Sequence, residues 1–389
     1  MISRSEFPYL QSLIINDAYA VKNLTVPVFQ AGEDFKHLIL TGRNGSGKTT
    51  VLRGVNYIFY GRVSKETHDS ATSFDGNVEA SFAKNNDGAF RQFIDGRDGQ
   101  KNATVISFFE ATRKIQVQDV STVIRENDLE RQLLQSSYNN QPPAELFKQY
   151  LVNKKVYQVF DAMDGKAEGA KQQELFFAKL EETLAKIFED PGTKLEFVRE
   201  NFEFYINLSD GRRFTFNQLS AGFSAFLSIL TELLMRTDLL RKQANDYTYD
   251  PCGFVLIDEP ETHLHLEMQY QILPLLTGLF PNLQFIVATH SPAVASSITG
   301  ATVFDLSTGN VLGDVAAGSS YSELMQTHFG LENEFSNVAD AIIADIRRIV
   351  RVPDHAQARR QLLDLLAEKG RYMSATLRLE VEAQLISLE

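Results

Sequence analysis

The chain has 389 residues, 43% hydrophobic and 23% charged. These are ordinary globular values, which exclude wholesale disorder and leave room for one large domain or two smaller ones. Lysine and arginine number 38 against 50 acidic residues, a net charge of −12. Such a field does not hold a polyanion, so nucleic-acid contact would need a local basic patch. The single cysteine, Cys252, excludes an intramolecular disulfide and any cysteine-cluster metal site, as a reducing cytoplasm would favour. No apolar run reaches the roughly 20 residues of a membrane span, and the first residues lack a signal-peptide core. A cytoplasmic protein without a membrane partner is expected.

In chain order, Leu10 to Val26 reads as strand material, and His37 to Thr41 as a short buried strand. Residues 49–60 place Val51, Leu52, Val55, Ile58 and Phe59 at helical spacing, ending at Gly61. Residues 74–117 suggest a sheet meander of three short strands, Val78 to Phe82, Phe90 to Ile94 and Thr104 to Phe109. The polar stretch 122–190 is mostly helical in pattern, and Leu175 to Phe188 is its clearest amphipathic helix. Strands return at Leu195 to Val198, Phe202 to Leu208 and Arg213 to Phe216. A long helix is expected from about Ser220 to Arg241, then apolar strands at Phe254 to Ile257 and Gln284 to Ala288. Residues 334–389 are helix-rich, with breaks at Pro353 and Gly370.

Gly42 to Thr49 satisfies G-x-x-x-x-G-K-[ST] between an expected strand and an expected helix, the setting of a phosphate-binding loop. Its glycines, Gly42, Gly45 and Gly47, let backbone N–H groups of Asn44, Ser46 and onward to Thr50 curl around phosphate oxygens. Lys48 suits the β- and γ-phosphates of ATP, and the Thr49 hydroxyl suits Mg²⁺. Gly253 to Pro260 is an apolar strand ending in two acids. Asp258 would hold Mg²⁺ through water, and Glu259 would polarise the attacking water. His263, His265 and His290 do not complete a zinc set, because no further cysteine or histidine is placed to join them.

Leu219-Ser220-Ala221-Gly222-Phe223 opens the long helix ahead of the acid pair. It resembles the L-S-G-G-Q signature of ABC-class ATPases, with Ala221 in place of the first glycine and Phe223 where Gln or Glu is usual. Thr289-His290-Ser291-Pro292 follows the last apolar strand, and by the same resemblance His290 is the switch histidine. The string Asp258-Glu259-Pro260-Glu261, with Leu264-His265 after it, resembles the D-loop of the RecF/SMC/OLD-like branch. A Q-loop is expected but not fixed. Residues 110–113 are the first candidate, with Arg113 either a phosphate sensor or solvated, and Gln92 and Gln100 are others.

The resemblance implies an α/β fold: an ABC-type P-loop NTPase core of a RecA-like lobe and an antiparallel β-lobe, over 1–330. Residues 122–190 would be a helical insertion, and 331–389 a helical C-terminal region. It implies two chains sandwiching two ATP molecules, each phosphate loop facing Ser220 and Gly222 of the other copy. Glu259 and His290 would then hydrolyse ATP to reopen the sandwich. After His290 there is no acid cluster resembling a Toprim nuclease and no His-Asn-His pattern. Compact ATPases of this kind resemble subunits of anti-phage systems such as PARIS and Septu, so a separate nuclease or toxin is the expected effector partner. The rival is a RecF/SMC-like DNA clamp in repair. Arg347, Arg348, Arg351, Arg359 and Arg360 could contact nucleic acid, although interspersed acids make them read as a solvated face.

Overall fold

A computed structural model describes residues 2–60, 76–83, 104–113, 117–136, 143–312, 315–319, 323–324 and 337–387. The chain divides into two units, Met1–Tyr321 and Ser322–Glu389. The strand expected at Phe90 to Ile94, and Gln92 and Gln100, lie outside the described residues.

The first unit begins with β1 (Leu10–Ala18) and β2 (Val21–Pro27), followed by β3 (His37–Thr41) and α1 (Lys48–Tyr60). After β4 (Asn77–Phe82) and β5 (Val105–Phe109) come the helices α2 (Glu126–Ser136), α3 (Phe147–Met163) and α4 (Ala167–Ile187). A three-stranded sheet, β6 (Lys194–Val198), β7 (Glu203–Asn207) and β8 (Arg213–Thr215), leads into α5 (Ala221–Ala244). The remainder is β9 (Gly253–Asp258), α6 (Leu266–Leu279), β10 (Leu283–Ala288), α7 (Pro292–Ala295), β11 (Ala301–Asp305) and β12 (Val311–Leu312).

The central sheet has the order β12-β11-β3-β10-β9-β5 and is parallel except for the pairing of β11 with β12. Its inner strands are apolar on both faces, as β9 and β10 show by being buried at every position. A strand with no solvated face is stable only between two covering layers, which is the usual setting of a parallel sheet. Because these strands run the same way, β3, β9 and β10 deliver their following loops to one edge. That edge receives Gly42, Glu259 and Thr289, and β10 lies between the strands carrying the phosphate loop and the acid pair.

The segment 74–117 is not one meander. β4 pairs antiparallel with β1, whereas β5 joins the central sheet parallel to β9. The β2-β1-β4 sheet is tied to the core through Gln284, whose amide bonds the Leu10 N–H (2.8 Å) and carbonyl (2.9 Å) and the Lys36 carbonyl (2.7 Å). The side chain is fully buried, and three bonds satisfy the polar groups that burial would otherwise strand.

The second unit contains α8 (Asn337–Val350), α9 (His355–Lys369) and α10 (Ala375–Ser387). Ile342, Ile346, Ile349, Leu362, Leu365, Leu377 and Val381 form its own core. Asp354 caps α9 by accepting from the N–H groups of Ala356 (3.0 Å) and Gln357 (3.1 Å).

Candidate nucleotide site

The phosphate loop turns through three left-handed glycines, Gly42 (φ 134°), Gly45 (φ 78°) and Gly47 (φ 92°). A side chain at any of them would be strained, and at Gly42 it would also meet Ser46 Oγ and Ser307 Oγ at 2.8 Å. The loop is braced from β11: the Arg43 N–H donates to Ser307 Oγ (2.8 Å), and the Ser307 N–H donates to Asp305 Oδ1 (2.7 Å). Lys48 is buried and folds over the loop, donating to the carbonyls of Gly42 (2.8 Å) and Arg43 (3.2 Å). Burial lowers its pKa, opposed by the carboxylates of Glu259, Asp258, Glu261 and Asp305. Asn44 and Gly45 are exposed, and Ser46 and Thr50 half-buried.

Thr49 Oγ1 donates to Asp258 Oδ2 at 2.8 Å, joining the phosphate-loop helix to the end of β9. Burial raises the Asp258 pKa, and the Thr49 hydrogen bond opposes that shift. A hydroxyl and one carboxylate beside a phosphate loop fit Mg²⁺, which commonly takes few protein ligands and completes its shell with phosphates and water.

Glu259 has a left-handed backbone (φ 46°), unusual for a residue with a long side chain. Its N–H donates to the Ala288 carbonyl (2.8 Å), and its own carbonyl accepts from the Thr262 N–H (3.2 Å) and hydroxyl (2.8 Å). This turn brings Glu259 Oε1 to 3.8 Å from His290 Nε2. The His290 pKa is lowered by burial first and by the Lys48 charge second, which keeps the ring neutral near neutral pH.

Two residues complete the site in ways that local motifs do not show. Glu261 is half-buried, and its Oε1 accepts from the Thr289 hydroxyl and from the His290 N–H, both at 2.7 Å. Its pKa is raised by burial. Arg113, a phosphate sensor or a solvated side chain on sequence grounds, is half-buried and donates to three main-chain carbonyls. Nη1 reaches Glu110 O (2.5 Å) and Asp258 O (2.6 Å), and Nη2 reaches Glu259 O (2.9 Å). Only the long-range partners identify these roles, so no short pattern could have found them.

Ser220 is exposed and is the N-cap of α5, accepting from the Phe223 N–H at 3.5 Å. Gly222 is buried against the D-loop: a Cβ there would lie 2.3 Å from the His263 carbonyl oxygen. Phe223 packs on Phe188 (5.1 Å between centroids), which also meets Phe214 (5.4 Å). The departure from the usual signature residue is thus an aromatic contact between α5, the end of α4 and β8. No group of three or more His, Cys, Asp or Glu side chains among the described residues is arranged to hold a metal by itself.

A family model described as "AAA domain, putative AbiEii toxin, Type IV TA system" matches residues 117–296. That span opens after the phosphate loop and takes in Ser220, Asp258, Glu259 and His290. Over 92 residues, 24% of this chain, the sequence is 39% identical to "Retron Ec83 probable ATPase" of Escherichia coli. The similarity spans only 17% of that protein's length, and 18% of the length of "Retron Vc95 probable ATPase" of Vibrio cholerae. Septu protein PtuA of Bacillus thuringiensis is 22% identical over 268 residues, 65% of this chain and 66% of that protein. Among solved structures, an Smc head domain bound to the C-terminal domain of ScpA, from Pyrococcus furiosus, gives a TM-score of 0.43. Identity there is 14%, over 80% of this chain and 98% of that one. Probable ATPases of two retrons and a Septu protein are thus among the sequences this chain is similar to.

Proposed function

We propose that this chain binds ATP at Gly42–Thr50 and hydrolyses it to ADP and phosphate with Glu259 and His290. It does so as a homodimer or higher homo-oligomer in the cytoplasm, and its ATP-bound state gates a separate effector, a nuclease or toxin, in anti-phage defence. One observation carries the enzymatic part. Thr49, Asp258, Glu259 and His290 converge at one sheet edge, with 2.8 Å between Thr49 Oγ1 and Asp258 Oδ2 and 3.8 Å between His290 Nε2 and Glu259 Oε1. The similarity to Septu PtuA and the retron ATPases supports the defence setting.

The phosphate loop and Lys48 bind the phosphates, and Thr49 and Asp258 would hold Mg²⁺, which supplies neutralisation of phosphate charge. A water oxygen attacks the γ-phosphorus as the bond to the β–γ bridging oxygen breaks, and Glu259 accepts the water's proton. His290, neutral and half-buried, orients the water against the γ-phosphate. The exposed Ser220 at the N-terminus of α5 is available to the γ-phosphate held by a second copy, where a helix N-terminus favours an anion. No described helix is long and apolar enough to cross a membrane.

The test is recovery of the Glu259→Gln protein from its host with ATP and Mg²⁺, reading assembly mass, protein partners and nucleic-acid content together. An oligomer carrying a stoichiometric protein partner is expected. Nuclease-sensitive DNA without a protein partner would replace the gated-effector reading with the repair clamp.

A further inference from the structure

Arg113 is a cation drawn into the protein to serve three carbonyl oxygens from two separate segments. Glu110 follows β5, and Asp258 and Glu259 end β9, so the guanidinium bridges two neighbouring parallel strands where both reach the site. Burial disfavours its charge and pulls its pKa down to about 10, and the carboxylates of Asp258, Glu261 and Glu259 offset part of that cost. A half-buried ion with part of its hydration replaced by main-chain oxygens is held in place by geometry rather than by one counter-ion.

The carbonyls it holds flank the left-handed residue. A residue with a Cβ at φ 46° is disfavoured unless its surroundings over-determine it. The Glu259 N–H is fixed by Ala288 O, while the Asp258 and Glu259 carbonyls are both fixed by Arg113. The direction of the Glu259 side chain follows from that pinned backbone. A planar fork can bridge carbonyls that diverge in space, whereas a lysine presents its donors from a single nitrogen. Arg113 donates to no group of the phosphate loop among the described contacts; its bonds run to the backbone that carries the acids.

We infer that Arg113 is a positioning residue for hydrolysis, holding the Asp258 and Glu259 carbonyls so that the Glu259 carboxylate stays aimed at the attacking water. This rests on the reading of Glu259 as the general base. Arg113 acts through Glu259 and makes no contact with phosphate.

The test compares Arg113→Gln and Arg113→Lys in the full chain, measuring affinity for a fluorescent ATP analogue and single-turnover hydrolysis. Both variants should bind the analogue within about twofold of the parent, while hydrolysis falls about 100-fold in Arg113→Gln, the scale of an ångström-sized misplacement. Arg113→Lys keeps a half-buried cation among the three carboxylates and should restore only part of the rate. In a Glu259→Gln background, adding Arg113→Gln should lower the residual rate less than about threefold, because the two changes disable one device. Loss of nucleotide affinity in step with rate would overturn the inference, as phosphate sensing predicts it. So would full additivity with Glu259→Gln, full rescue by lysine, or an unchanged rate. A parent chain that binds ATP and never turns it over would overturn the ATPase reading itself, and this inference with it.

Discussion

Glu261 Oε1 accepts the backbone N–H of His290 at 2.7 Å. The same oxygen accepts the Thr289 hydroxyl at 2.7 Å, and Ser291 is tied back through Gln269 to the Leu264 carbonyl. The D-loop and the strand end that carries His290 are therefore fastened by two independent hydrogen-bonded links.

Removing the acceptor should misplace His290. In Glu261→Ala two donors lose their partner, which costs on the order of 1–3 kcal/mol of stability. Turnover should fall about 100-fold as the ring drifts from Glu259. Glu261→Gln keeps a carbonyl oxygen at the accepting position, and the carboxyl's raised pKa says its charge is not favoured there. That variant should stay within about fivefold of the parent. Steady-state phosphate release from the two variants checks this, and equal losses would show that the charge, rather than the acceptor, matters.

How far the site was legible follows from where each partner lies in the chain. The phosphate loop reads directly, because the three left-handed glycines, the lysine and the threonine sit in one contiguous stretch with the strand before and the helix after. The acid pair reads nearly as well, since β9 is uninterrupted apolar sequence ending in charge. Arg113 does not, because its carbonyl partners Asp258 and Glu259 stand 145 and 146 positions away. Gln284 grips Leu10 across 274 positions. On sequence alone β5 groups with β4, because short alternating strands look alike whichever neighbour they pair with. Its parallel partner β9 is supplied by a distant part of the chain, and that partner decides the sheet. Glu261 was visible as a letter of the D-loop string, but its grip on His290 was not.

The signature segment separates packing from chemistry within three residues. Gly222→Ala pushes a methyl into the His263 carbonyl, a main-chain contact at 2.3 Å that cannot rotate away. A loss of about 1–3 kcal/mol is expected, with the D-loop displaced. Ser220→Ala removes only a long capping bond of 3.5 Å, so its stability cost should be about 0.5 kcal/mol. If Ser220 serves the γ-phosphate of a second copy, that variant should nevertheless lose ATP-dependent association and hydrolysis while binding ATP normally. Urea midpoints and light scattering with and without ATP distinguish the two effects. A Ser220→Ala protein that still associates and turns over ATP would remove the signature from the proposed mechanism.

Lys48 and Glu259 should fail in different ways. Lys48→Ala deletes the buried ammonium over the phosphate loop and should abolish detectable ATP binding. Glu259→Gln preserves the pinned turn and removes only the group that accepts a proton, so ATP should stay bound while turnover falls by about 100-fold or more. Its ATP-bound assembly should therefore outlive that of the parent. Calorimetric titration with ATP, followed by size measurement at intervals, reads both properties. Normal turnover in Glu259→Gln would end the assignment of Glu259 as the base.

His37, at the start of β3, gives a pH dependence that is independent of nucleotide. Its Nδ1 accepts the Phe285 N–H at 3.1 Å, and its ring lies 5.5 Å from those of Phe35 and Phe285. Burial, with help from the Arg4 charge, lowers its pKa from 6.5 to about 4. Between these values the unfolded chain binds the proton and the folded chain does not, so stability must fall as pH drops through that window. The ring is partly exposed, and solvent screening reduces the effect to the order of 1 kcal/mol between pH 7 and pH 5. Other carboxyls titrate in the same range, so the informative quantity is the difference from His37→Asn. That substitution keeps an acceptor near the Phe285 N–H and removes the titration. Urea midpoints should converge for the two proteins at pH 5 relative to pH 7, with the parent losing more. Parallel pH profiles would show that His37 takes up its proton in the folded state as readily as in the unfolded one.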